Sequence, residues 1–248
     1  MKWSYRIARV AGIDIKIHVT FLLLLAWFGW IYYHAEGISG AIEGVGFTLL
    51  LFLCVLLHEF GHAFAARAFG IRTPDITLLP IGGVARLERM PDQPWQELVV
   101  AIAGPAVNIV IGGALFFVLA VKFTFGTLSG IDRFGSSLLV DLLRVNVMLV
   151  LFNAIPAFPM DGGRVLRSLL AMVFDYVTAT TIAARVGQFI AVCFAACTFL
   201  SSIFPLPGFL GSPMLLFIAM FVFVGAQQEL AYAKWRAGFR SYRDADDI

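Results

Sequence analysis

Two histidines four residues apart bracket a glutamate within an apolar run, GVGFTLLLFLCVLLHEFGHAFAARAFG. Residues i and i+4 share one face of a helix, so His58 and His62 can direct their imidazoles at a single metal ion. Glu59, next to His58, is badly angled for a third ligand but can reach a water on that metal. Two histidine ligands and a glutamate base are the working parts of a zinc-dependent peptidase.

From this chain's own histidine and glutamate content, the pattern is expected about 0.002 times by chance. A buried polar cluster satisfied by its neighbours is the plainer reading. It is disfavoured because a charged residue at mid-membrane costs ~2.5–3.5 kcal/mol even on lenient scales.

A catalytic zinc commonly takes three protein ligands and a water. The third is sought in NAIPAFPMDGGR, Asn153–Arg164. Pro156 and Pro159 end regular helix there, and Gly162 and Gly163 permit conformations closed to other residues. Asp161 can then turn back toward the metal, or can simply cap its own turn. Asp175 and Glu229 are rival carboxylates, the first farther into the loop and the second near the end of the last apolar run.

The elements that must position these groups are membrane helices. Of 248 residues, 60% are hydrophobic and 14% charged, more apolar surface than one soluble core can bury. The runs are continuous rather than alternating, which selects an all-α polytopic protein over a barrel. Six spans are predicted: Ile17–Tyr33, Gly44–Ala68, Trp95–Val121, Leu138–Pro156, Thr178–Ile203 and Pro213–Tyr232. The first is no cleaved signal, because the aromatic WFGWIYY stands where a small-residue cleavage site would be.

Lys2, Arg6, Arg9 and Lys16 share a side with Arg72, Arg86, Arg89, Arg164, Arg167, Lys234, Arg236, Arg240 and Arg243. The opposite loops hold Lys122 and Arg133. Both termini are therefore expected in the cytoplasm. The net charge of +2 gives no ground for a nucleic-acid partner.

Two cytoplasmic stretches read as strands. IDIKI, Ile13–Ile17, alternates apolar and polar. ITLLPIGGVARLE, Ile76–Glu88, has Gly82-Gly83 as a hairpin turn, and Pro80 limits its strand to an edge. They can pair into a small sheet that accepts substrate as an added strand, which proline at Thr77 or Ile81 would test.

HEFGH together with NAIPAFPMDGGR resembles the site-2 protease family of intramembrane zinc metalloproteases, in its prokaryotic six-helix form. AGPAVNIV, Ala103–Val110, and LPIGGVARLE match it too, so the likeness spans most of the chain. The resemblance implies one Zn2+ on His58, His62 and Asp161, with Glu59 catalytic. It implies that Asn153 holds the substrate backbone, and that helices two to four form the catalytic core, about residues 44–164. The expected substrate is the transmembrane segment of another protein, cut within the lipid bilayer of a prokaryotic cell. Residues 1–232 would form the protease domain and 233–248 a cytoplasmic tail or truncated linker. Several six-helix relatives continue into paired nucleotide-binding regulatory domains of the cystathionine-synthase type, so the chain is expected either to belong to a shorter branch or to have been cut ahead of such domains.

A transition-metal transporter would also place histidine and aspartate in the membrane, but Glu59 beside the histidines and a single site rather than a file of sites argue against it. Asn108 can contact substrate or join helices by a buried hydrogen bond. Asp141 and Arg144 are spaced to pair, and Arg185 to snorkel. His18 lies at a helix mouth, and His34 has no partner visible in the sequence. Cys193 and Cys197 lack a nearby His or carboxylate and read, with Cys54, as packing residues.

Overall fold

A computed structural model describes residues 3–91, 93–124, 133–201 and 212–246. The chain is mostly helical with one small sheet, and the described residues divide into two compact units. The first comprises Met1–Pro91 with Ile102–Leu151, the second Asp92–Ala101 with Phe152–Ile248.

In the first unit, β1 (Ser4–Val10) and β2 (Ile13–His18) precede the long helix α1 (Val19–Ala68), then β3 (Asp75–Leu79) and β4 (Gly82–Arg86). The sheet order is β1-β2-β3-β4, antiparallel at both ends and parallel between β2 and β3. Ala11 and Gly12 both have positive φ, as a two-residue hairpin between twisted strands requires. β2 and β3 are as the alternation predicts, whereas β1 was not foreseen. The hairpin turn is Pro80-Ile81, because Leu79 already pairs with Gly82. Gly82 and Gly83 are strand residues. Pro80, whose missing N–H falls in the turn, leaves β3 internal, and the edge strands are β1 and β4.

α1 is 50 residues long but is broken at Glu36 and Gly37, where Gly37 has φ 72° and ψ −153°. There it doubles back. Phe21 meets Phe52 with ring centroids 4.6 Å apart, and a Cβ at Gly44 would overlap the Tyr32 ring. The first two predicted spans are thus the arms of one antiparallel hairpin. His18 caps its start by accepting from the Thr20 N–H at 3.4 Å. His34 packs edge-on against Trp30 and Tyr33.

α2 (Pro94–Thr124) and α3 (Arg133–Asn153) contribute to both units. α3 ends ahead of Pro156, and Arg144 donates to Asp141 on it at 2.9 Å. In the second unit, α4 (Asp161–Ala171) is short and amphipathic, followed by α5 (Tyr176–Leu200) and α6 (Pro213–Asp246). α6 carries the expected tail onward as helix. Asp175 caps α5, accepting from the Val177 and Thr178 N–H groups at 3.0 Å.

Among the described residues, four helices are long and apolar enough to cross a membrane: α1, Pro94–Phe123 of α2, α5, and Pro213–Gly238 of α6. Large apolar side chains such as Phe116, Phe117, Phe189 and Phe217 face outward on them. An aqueous surface would not sustain that pattern, and the chain is an integral membrane protein.

Candidate metal centre

His58 and His62 are buried on one face of α1, as their spacing requires. Their rings stand nearly perpendicular, and the two Nε2 atoms are 3.1 Å apart. Two nitrogens each 2.0–2.1 Å from a tetrahedral zinc would be separated by about 3.3 Å, so this pair fits such an ion.

Residues of α2 shape the rest of the cradle. Gly104 faces both Nε2 atoms. A Cβ there would overlap His62 Nε2 and come within 2.7 Å of His58 Nε2. Gly61, the glycine of HEFGH, lets the helices approach, since a Cβ would sit 2.5 Å from the Ala103 carbonyl oxygen. The sequence reading missed both roles, although each glycine stands inside a motif it had singled out.

Asn108 of α2 is buried with its Oδ1 2.6 Å from His58 Nδ1. It touches the ligand histidine directly, and its Nδ2 donates to Asn146 Oδ1 on α3 at 2.9 Å. Asn146 in turn donates to the Leu142 carbonyl at 2.8 Å and to Cys54 Sγ at 3.4 Å. A histidine anchored at Nδ1 presents Nε2 to a metal.

Glu59 is half-buried beneath the sheet. Its Oε2 accepts from the Ala85 N–H on β4 at 3.3 Å, and Gly83 lies flat against its side chain. The hairpin thus grips the candidate base.

Asp161 and Asn153 belong to the second unit. Asn153 is the last residue of α3. Asp161 is buried in the first turn of α4, at a helix N-terminus where acidic side chains are favoured. It therefore starts a helix rather than sitting in a turn. Gly162 and Gly163 are helical as well. They are needed for closeness, since a Cβ on either would collide with the Ala154–Phe158 backbone. That backbone is itself clamped by Gly187 of α5 and Gly225 of α6, which pack against Ala157 and Pro159.

α4 is tied down by Arg167, which is fully buried. Its Nε and Nη2 bond Glu97 Oε1 at 2.8 and 2.5 Å, and Nη1 bonds Glu229 at 2.7 Å. Its guanidinium lies over Phe158 and Tyr176. Burial opposes the charge, but Glu97, Tyr176 and Glu229 more than offset it, and the group is held above its usual pKa. The rival carboxylates are thereby accounted for: Glu229 pairs with Arg167, and Asp175 is an exposed helix cap.

The profile of peptidase family M50 matches residues 46–134 and 131–194. The chain belongs to peptidase family M50. The chain is similar to the zinc metalloprotease MJ0392 of Methanocaldococcus jannaschii, 35% identical over 99% of this chain and 66% of that protein. Stage IV sporulation protein FB of Bacillus subtilis is 30% identical over 61% of this chain and 46% of its own length. The chain thus spans between about half and two thirds of these relatives. The solved site-2 protease from Methanocaldococcus jannaschii superposes with a TM-score of 0.63 at 35% identity, covering 92% of this chain and 95% of that one.

Proposed function

We propose that the chain is an intramembrane zinc metalloprotease that hydrolyses peptide bonds in or near the transmembrane segment of membrane-protein substrates. The observation that carries this is the convergence of two buried histidine Nε2 atoms 3.1 Å apart, with Glu59 beside them on the same helix. His58, His62 and Asp161 would hold one zinc ion. The donor types suit zinc, all three are buried, and the relative from Methanocaldococcus jannaschii is a zinc metalloprotease.

Bound zinc would polarise the scissile carbonyl and acidify a water. Glu59 would take a proton from the attacking water and return it to the departing amide nitrogen. Ala85 keeps the Glu59 carboxylate aimed while it does so. Asn153 would hold the substrate backbone, a role that rests on family likeness. A helical substrate must unwind to expose its amides. β4 is an edge strand that can accept it as an added strand, and because the Ala85 N–H is already given to Glu59, the position to test is Gly83 rather than Thr77 or Ile81.

Six crossings with both termini in the cytoplasm are part of the same proposal. Support comes from the doubling back of α1 and from the clustering of Lys and Arg on alternate loops. So is a cell-membrane location in a prokaryote, residues 1–232 being the protease domain.

The deciding experiment compares wild type with Glu59→Gln on a panel of single-span substrates in liposomes, with bound zinc measured in both. Cleavage lost with zinc retained is the expected result. Full cleavage by the variant would overturn the role of Glu59, and a wild type without zinc would overturn the whole reading.

A further inference from the structure

Three buried side chains in the first unit form a directional chain: His58, Asn108 and Asn146, on α1, α2 and α3. Its direction is fixed at the far end. Asn146 faces the Leu142 carbonyl at 2.8 Å, and a backbone carbonyl can only accept. The amide edge turned to Leu142 must therefore be Nδ2, which leaves Oδ1 toward α2. Oδ1 can only accept, so Asn108 must offer it Nδ2. Asn108 then has only Oδ1 left to face His58 Nδ1, 2.6 Å away. That oxygen can only accept, so the proton of the neutral imidazole must sit on Nδ1. The lone pair is left on Nε2, the atom that converges with His62 Nε2.

From this we infer that Asn146 is a positioning residue that sets the tautomer of His58, acting through Asn108 from the Leu142 carbonyl. It approaches neither the metal nor the substrate. Its effect is to keep a proton off the one imidazole nitrogen that a metal needs. An asparagine amide has no directional preference of its own, because its two ends are nearly the same shape. Without an anchor at Leu142, Asn108 could turn over and offer Nδ2 to His58. The imidazole would then carry its proton on Nε2, pointing it at the ion. The inference rests on His58 being a zinc ligand for its consequence, but the tautomer itself is a property of the metal-free protein.

The test uses two substitutions of opposite kind. Asn146→Leu keeps the volume and removes the polarity. Asn146→Asp keeps an acceptor toward Asn108 and, protonated in this apolar setting, a donor toward Leu142. Imidazole ¹⁵N shifts of His58 are recorded in the full-length, zinc-free protein, well above the ordinary histidine pKa of ~6.5. Zinc affinity is measured in parallel by competition with a chromophoric chelator. Wild type and Asn146→Asp are expected to show Nδ1–H alone. Asn146→Leu is expected to show both tautomers and about 10-fold weaker zinc binding.

A residue that merely packs would give the reverse order, since aspartate is the harsher change in an apolar core. Asn146→Leu with a pure Nδ1–H signal would overturn the inference. So would mixed tautomers in folded Asn146→Asp, a result that needs no leucine variant. A wild type that binds no zinc would sink the protease reading and leave the tautomer result to decide this one.

Discussion

The Ala85 N–H donates to Glu59 Oε2 at 3.3 Å, tying an edge strand of the sheet to the acidic residue of HEFGH. Gly83 makes that contact possible, because a Cβ there would lie 2.6 Å from Glu59 Cγ. Gly83→Val should lift β4 off the glutamate without touching the histidines. The expected result is a kcat reduced about 10²-fold or more, within the range of a misplaced general base, with zinc content unchanged. Zinc lost together with activity would show that the substitution had disturbed the fold around the ligands instead.

Gly104 is the wall of the cradle opposite the histidines. Its missing side chain leaves the space in front of both Nε2 atoms open. Gly104→Ala should displace at least one imidazole and lower zinc affinity by about 10- to 100-fold, the scale seen when a ligand's orientation is spoiled. Gly113→Ala, on the same helix with open space around it, is the control expected to bind zinc normally. Equal zinc affinity in both variants would remove Gly104 from the site.

What was legible in the sequence followed from local periodicity. The i, i+4 spacing of His58 and His62 needs only a helix, and the apolar run supplied one. β2 was legible because Ile13 and Ile15 alternate with Asp14 and Lys16 and are buried. β1 was not, because nearly all of it is exposed and no face is marked by burial. The sequence makes Gly162-Gly163 a source of flexibility that lets Asp161 turn back toward a metal, whereas tertiary crowding is what demands glycine there. Asn146 and Arg167 left no local signal, since the side chains they bond are distant in sequence and a lone polar residue in an apolar run does not name its partner.

Asp175 offers a small pH dependence whose sign is fixed. Hydrogen bonds from the Thr178 side chain and N–H, and from the Val177 N–H, hold its carboxyl below the ordinary value. A depressed folded-state pKa gives stability that is present above the unfolded value, near ~3.9. That stability is lost as pH falls through the lower folded value. Asp175→Asn keeps the cap geometry and removes the charge. The difference in unfolding midpoint between wild type and variant in detergent should shrink on acidification through that window. A pH-independent difference would mean that the charge at the start of α5 contributes nothing.

Arg167 is the residue whose loss should cost the second unit most. It is fully buried, and the Glu97 side chain is only 6% exposed, so removing the guanidinium strands a carboxylate away from water. Breaking such a pair by deleting one partner costs about 3–5 kcal/mol, whereas removing both charges together is often far milder. Arg167→Met should therefore unfold markedly earlier than wild type in detergent. Arg167→Met combined with Glu97→Gln should recover much of the loss, since Glu229 is partly exposed and can be solvated once released. Because α4 carries Asp161 in its first turn, loosening α4 should also weaken zinc binding in the single variant, and the double variant should regain part of it. A single variant as stable as wild type would mean that the cluster is not what fixes α4. A double variant no better than the single would mean that the arginine acts through its packing on Phe158 and Tyr176 rather than through its charge.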